Sequence, residues 1–388
     1  METTRSYLVV LLVGLVVACA GPIATPPSTT QQAPVTPPET TSSTAEPAPA
    51  VTTLPSTTAG PTTYLVWASG GLEPDLAASF LERFEPVSIV KGGTVELQAE
   101  DGSLIPLEGL AVDLRTHRPF DHHGFVADLR PGSVVLGASS AALRKARPGD
   151  VLTMDGAEFQ VSAIVPDEAV SHAEVVFDQA DPAPQLRRDR FALISSELSP
   201  DEFETAVLQI EAETPLRILS EGNTPWFRHA DGVLPQVLIK RALGEFSYTN
   251  RSGVMFDQDD EFRANKIVTT DVPRIGETVC HRVVTEMLTG AMNQLIDEGL
   301  ADLVEPVDYG GCWSPRFIRG DGGTTSGLSR HAWGAAVDIN VAANPYGTSG
   351  NQGPRLVETM EAWGFTWGGR WLVPDPMHFE YAVAPGDE

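Results

Sequence analysis

Between residues 64 and 215 apolar and polar positions alternate in short runs: TVELQAE (94–100), SVVLG (133–137), DVLTM (150–154) and EFQVSAIV (158–165), separated by the turn signals DG, RPG and RPGD. A two-residue period bounded by Gly, Asp and Pro predicts strands. Two stretches change period. EPDLAASFLERF (73–84) and SPDEFETAVLQIEA (199–212) begin with acidic residues and space their apolar positions three and four apart, so each predicts a helix. Residues 64–215 therefore read as a strand-rich α+β domain. Residues 216–244 read as a connection ending in a short helix, and residues 245–388 as a second domain. There GETVCHRVVTEMLTGAMNQLIDEGL (276–300) places Val279, Val283, Met287, Ala291, Leu295 and Ile296 on one stripe, predicting a single long helix with a buried face. Cys280 lies near that stripe, against a strand expected in YGGCWSPRFI (309–318), where Cys312 can meet it.

The chain of 388 residues with 42% hydrophobic content can bury two cores. Its net charge of −26 excludes nucleic acid as a partner, because phosphate binding needs clustered Lys and Arg. The ends refine the picture. Tyr7 to Ala18 is an apolar run of about a dozen residues, short of the roughly 20 needed to span a bilayer, so residues 1–18 read as a signal peptide. Val16-Val17-Ala18-Cys19 resembles the bacterial lipobox, which implies lipidation of Cys19 and an extracytoplasmic, membrane-anchored lipoprotein of the cell envelope. After Cys19, residues up to 63 are almost all Pro, Thr, Ser and Ala, a composition that cannot offset chain entropy by burial and acts as a tether of up to roughly 100 Å. With Cys19 acylated, Cys280 and Cys312 form an even pair in an oxidising compartment and are expected to be disulfide-bonded.

Candidate chemistry concentrates in GLSRHAWGAAVDIN (327–340), where His331 and Asp338 stand among small and apolar residues. On one helix their side chains would lie about 10 Å apart along the axis. On one extended strand they would be over about 20 Å apart and on opposite faces. Two ligands of one zinc ion need donor atoms within roughly 3–4 Å. A shared site therefore requires the chain to turn back, which Gly334 and its alanine neighbours permit. A catalytic zinc keeps three protein ligands and one open position, and GFTWGGRWLVPDPMHFEY (364–381) supplies a third, His378. Asp375, three residues earlier, is placed to take a proton from the attacking water, with Glu380 the other candidate for that base or for a partner of the ligand.

These residues carry a resemblance. Ser329-x-His331-x-x-Gly334-x-Ala336-x-Asp338 and the closing Asp375-Pro-Met-His378-Phe are similar to the motifs of the zinc D-alanyl-D-alanine carboxypeptidase family, the VanY-like and L-alanyl-D-glutamate endopeptidase group. Where many members have Glu, this chain has Asp375, as its endolysin-like branch does. The resemblance covers roughly residues 245–385. It implies a hedgehog/DD-peptidase-like fold with a small antiparallel sheet, one zinc ion on His331, Asp338 and His378, Asp375 as catalytic base, and hydrolysis of peptidoglycan stem peptides. It further implies a substrate-binding role for Ser329 and for an arginine before the first ligand, Arg316 or Arg319. If 311–319 were a regular strand, Arg316 would share a face with Cys312 and Ser314 and Arg319 would point away, which together with the motif favours Arg316. Trp313, Trp333, Trp367 and Trp371 are candidates to line the cleft or fill the core. A non-catalytic peptidoglycan-binding lipoprotein is the alternative reading.

Residues 132–167, GSVVLGASSAALRKARPGDVLTMDGAEFQVSAIVPD, faintly resemble the extracytoplasmic domain of FtsX- or MacB-like permeases, which implies an interaction or positioning module for a protein partner. His117, His122 and His123 in THRPFDHHG lack metal-ligand spacing and read as a solvated polar loop.

Overall fold

Alternation does yield strands, and their pairing closes part of the sheet on itself. The computed structural model describes residues 61–184, 186, 188–210, 215–220, 233–318 and 327–383; Cys19 and Arg319 lie outside them. In chain order the elements begin with β1 (Thr62–Ala68), α1 (Pro74–Arg83), β2 (Val87–Gln98), β3 (Leu104–Val112), β4 (Ser133–Gly137), α2 (Ala138–Arg144), β5 (Val151–Met154), β6 (Ala157–Val165), β7 (Val175–Asp178), β8 (Arg188–Ser196), α3 (Pro200–Leu208) and β9 (Leu216–Ser220). The long β2 pairs with β3 along one edge and with β8 and β5 along the other. From β3 the pairing runs through β7, β4, β6 and β5 back to β2, so these strands form a ring, with β8, β1 and β9 extending it. Both expected helices form. Pro occupies the first turn of each, and Ser199 with Glu202 makes a capping box on α3.

The chain continues through α4 (Gln236–Leu243), β10 (Tyr248–Ser252), β11 (Met255–Gln258), α5 (Asp260–Lys266), β12 (Ile267–Val272), β13 (Gly276–His281) and α6 (Arg282–Asp297). The last elements are β14 (Ala336–Asp338), α7 (Pro354–Ala362), β15 (Phe365–Trp367) and β16 (His378–Tyr381). The β10–β11 hairpin joins the large sheet at β3 through Tyr248 opposite Leu104. Its Tyr248 and Phe256 nevertheless pack into the core around α6, with Phe246, Phe317 and Trp333. The described residues lie in one compact unit. Strands and helices are mixed within it, an α+β construction.

Two expectations need correction. The stretch 276–300 is not one helix. Its first residues form β13, paired residue for residue with β12, and the helix starts only at Arg282. His281 causes the switch: its Nδ1 accepts from the Val283 backbone N–H at 3.2 Å, satisfying a donor that the first turn leaves unpaired. The buried stripe therefore starts at Val284, and Ile296 is exposed. Nor is 311–318 a regular strand. Only single bridges form, at Gly311, Arg316 and Phe317, because the N–H groups of Trp313, Ser314 and Phe317 donate to three different segments, at Val279, His331 and Val254. The face argument that separated Arg316 from Arg319 does not apply to such a segment. Cys280 on β13 and Cys312 are joined by a disulfide.

Candidate metal centre

The turn at Gly334 is built from close packing as well as from backbone preference. Arg330–Trp333 form a single 3-10 turn that ends with Gly334 at φ +62°. A Cβ there would lie 2.5 Å from the His281 backbone nitrogen, so only glycine fits. The chain then enters β14, whose partner β16 sets the register: Ala336 faces Glu380 and Asp338 faces His378. Directly opposed residues bring their Cβ atoms to about 4.5–5.5 Å. On the other side Gly310 donates to the Asp338 carbonyl at 2.8 Å, and a Cβ at Gly310 would meet the Asp338 Cβ at 2.8 Å.

His331, Asp338 and His378 converge, one donor atom of each lying within 4.8 Å of the others. His331 donates from Nδ1 to the Cys312 carbonyl at 2.7 Å, which turns Nε2 toward Asp338 Oδ2 at 3.3 Å. The other carboxylate oxygen of Asp338 faces His378 Nδ1 at 3.0 Å, and His378 Nε2 meets Glu380 Oε2 at 3.1 Å. Glu380 is buried, with Arg330 Nε 3.7 Å from its Oε1. Burial would raise the Asp338 carboxyl, but the two imidazoles hold it far below the usual carboxylate range. Burial opposes a charge on His378, yet Asp338 and Glu380 raise it to about 10. The carboxylates that favour a proton on this imidazole would equally favour a metal cation that displaces it.

Asp375 sits at the rim. A turn in which His378 N–H donates to the Asp375 carbonyl at 3.1 Å folds it back over the ligands. Its carboxyl is pushed up, first by burial and then by Asp338, with His378 acting against them. Its Oδ1 is buried without a hydrogen-bond partner. The donor set fits zinc: two imidazoles with one nitrogen each turned to a shared carboxylate, outer partners on the opposite nitrogens, and an acid beside them.

The remaining expected residues divide. Ser329 is buried immediately before the 3-10 turn and its N–H donates to the Arg316 carbonyl at 3.2 Å, so the Arg316 backbone runs alongside the ligand segment. Trp371 packs against His378, ring centroids 5.2 Å apart. Trp333 is fully buried core and donates to the Gly244 carbonyl. Trp313 and Trp367 donate to Gln258 and to the Pro376 carbonyl. Arg330, which the sequence reading did not single out, joins the site through Glu380; its signal was adjacency to His331 alone. His117 departs from the solvated loop: it is buried against Ser88, Nδ1 to Oγ 2.9 Å, while His122 and His123 are exposed.

No curated protein matches the chain. Among solved structures it is similar to the periplasmic region of MacB from Actinobacillus actinomycetemcomitans, at 11% identity over 40% of this chain and 87% of that one, with a TM-score of 0.28. It is also similar to the extracellular domain of the noncanonic ABC-type transporter YknZ from Gram-positive bacteria, at 9% identity over 37% of this chain and 87% of that one, with a TM-score of 0.26. Among the described residues no helix is long and apolar enough to cross a membrane. Residues 322–381, the stretch that carries His331, Asp338, His378 and Asp375, match the model of the D-alanyl-D-alanine carboxypeptidase family.

Proposed function

We infer that the protein is a zinc-dependent peptidase that hydrolyses amide bonds in peptidoglycan stem peptides, as a D-alanyl-D-alanine carboxypeptidase or a related endopeptidase. The observation that carries this reading is the convergence of His331, Asp338 and His378 beside Asp375. The C-terminal region, on this reading, has the hedgehog/DD-peptidase-like fold, and the lipid on Cys19 with the tether behind it holds the enzyme at the cell envelope.

Zinc on His331 Nε2, His378 Nδ1 and the Asp338 carboxylate would supply a Lewis acid that polarises the scissile carbonyl and acidifies water. Asp375 accepts the proton of the attacking water on its unpartnered Oδ1. A carboxyl whose affinity for protons is raised holds that proton until the tetrahedral species collapses, then delivers it to the leaving amine. Glu380 accepts from His378 Nε2–H and fixes the tautomer that turns Nδ1 toward Asp338. Arg316 is the candidate to hold the substrate carboxylate or the oxyanion, with Ser329 and Arg319 as further substrate contacts.

The test is a digest of purified peptidoglycan and of free stem peptides by the zinc-loaded protein, read by mass spectrometry. Loss of a terminal alanine or a new pair of peptide ends is the expected result, and the product masses identify the bond. Bound zinc with no new ends would turn the assignment to the non-catalytic peptidoglycan-binding lipoprotein.

A further inference from the structure

A cavity of about 470 Å³ lies far along the chain from the metal centre, over one face of the ring of strands. Its floor follows from the register. Val90 on β2 is opposite Phe191 on β8, and Leu110 on β3 is opposite Val176 on β7. Val112, two residues from Leu110, and Leu193, two from Phe191, continue the same face, because side chains alternate along a strand. Two loops roof this floor. One carries His117, Phe120, His122, His123 and Phe125, and is pinned by Asp121, which accepts from the N–H groups of Phe125 and Val126 at 3.1 and 2.7 Å. The other, Glu168 to His172, contributes a short 3-10 turn.

The lining is graded. Val90, Val112, Val176, Phe191 and Phe125 form an apolar, buried interior, whereas His122, His123 and Glu168 are exposed and mark the mouth. His117 stands within the cavity, anchored to Ser88, and burial lowers its pKa to about 4, so it is a neutral hydrogen-bonding group. His117, His122, His123 and His172 are half of the eight histidines in the chain, gathered on one cavity.

We propose that this cavity binds a small neutral amphiphile, an aliphatic chain lying on the Val90–Leu110–Val176–Phe191 floor with a hydroxylated head among the histidines and Glu168. The volume falls in the roughly 300–1,000 Å³ range of small-molecule sites, and an apolar interior with a few convergent polar groups is their usual construction. The head is assigned by charge. A carboxylate would face Glu168 in a chain of net charge −26, whereas a hydroxyl can donate to Glu168 and accept from an imidazole N–H. A cationic head would meet Glu168 at the mouth, while the Asp121 carboxylate beside His117 is taken up by the Phe125 and Val126 N–H groups and the neutral imidazole of His117 offers no countercharge.

Calorimetric titration of the full chain with decanol, decanoate and decyltrimethylammonium, each kept monomeric in solution, tests the assignment. Decanol is expected to bind saturably at one site, with decanoate and the ammonium each weaker by about tenfold or more. Leu193→Trp fills the cavity and should abolish decanol binding. His122→Ala with His123→Ala alters exposed residues, with the thermal melt as the check on folding, and should weaken decanol by about 2- to 12-fold for each hydrogen bond lost. Absence of saturable decanol binding by the folded protein would overturn the proposal. So would tighter binding of decanoate, or decanol affinity untouched by the double histidine variant. Association with phosphatidylcholine vesicles without binding of monomeric decanol would also overturn it, by assigning the face to a membrane surface.

Discussion

Two regions of the molecule bury several charges at once, and they do so with opposite balances. Between α2, β7 and α4, Glu174 accepts from Lys240 Nζ and Arg144 Nη2 at 2.8 Å each and from Gln236 Nε2 at 2.7 Å, while Glu245 faces both cations. Two acids meet two bases, and the cluster is neutral within the chain. At the candidate metal centre Asp338, Asp375 and Glu380 share their surroundings with two imidazoles and Arg330. There the carboxylates exceed the permanent cations. Both clusters incur desolvation, but the first offsets it with permanent cations, whereas the second relies on Arg330 and on a proton that Asp338 and Glu380 hold on His378. A cluster balanced by permanent charges is fixed, whereas one balanced by a titratable proton can exchange it for a cation.

The largest effect should come from taking a ligand from the second cluster. His378→Ala leaves two of the three donors and should lose stoichiometric zinc together with all peptidase activity, read by elemental analysis and by the peptidoglycan digest. Retained zinc at full stoichiometry would sink the ligand assignment. Asp375→Asn should separate binding from chemistry, keeping zinc while turnover falls by about 10²- to 10⁴-fold, the usual contribution of a positioned acid–base group. Unchanged turnover in Asp375→Ala would remove that residue from the mechanism.

The neutral cluster should respond in stability and not in metal content. Lys240→Met strands part of the Glu174 charge and should cost about 3 kcal/mol in urea unfolding, the low end for breaking a buried pair because Arg144 remains. The paired change Glu174→Gln with Lys240→Met should recover much of that loss. Acid adds a second reading. Burial would raise Glu174, but Lys240 and Arg144 hold it below its ordinary 4.5. A carboxyl depressed in the folded state contributes stability above its unfolded value, and that contribution is lost as pH falls through the folded one. Unfolding measured from pH 6 downward should therefore steepen in the wild type and flatten in the paired variant.

How far each cluster was legible in the sequence follows from its construction. His331 and Asp338 lie seven positions apart around a glycine, so local geometry alone demanded a turn; the third ligand entered through the motif near the C-terminus. The neutral cluster joins residues 144, 174, 240 and 245, each on a different segment, and no local pattern relates them. Strand existence was readable from alternation in β2, β5 and β6 and from a short apolar run in the fully buried β4, but the closure of the ring was not, because pairing of β3 with β7 or β4 with β6 is a long-range choice. β9, inside a stretch read as a connection, carries only half-buried positions and so lacks the alternation that betrays a strand. β13 was hidden by the stripe of α6: Val279 continues the helical spacing by coincidence, and the side-chain cap from His281 that ends the strand has no hydrophobic signature.

The smallest predicted effect addresses the boundary between the two kinds of cluster. Glu380 has a cation of its own nearby in Arg330, yet it also accepts from His378, so it belongs to the balanced and the unbalanced description at once. Glu380→Gln keeps an oxygen for the His378 N–H but removes a full charge. If the carboxylate acts through its ligand, zinc affinity measured by chelator competition should fall by about 10- to 100-fold, the usual cost of altering a ligand's outer partner. Folding stability should then change little in the apoprotein, since Arg330 retains its hydrogen bond to the Leu234 carbonyl. If zinc affinity is unchanged and only stability falls, Glu380 is paired with Arg330 in the manner of Glu174 with Lys240, and the excess charge that draws the ion is confined to Asp338 and Asp375.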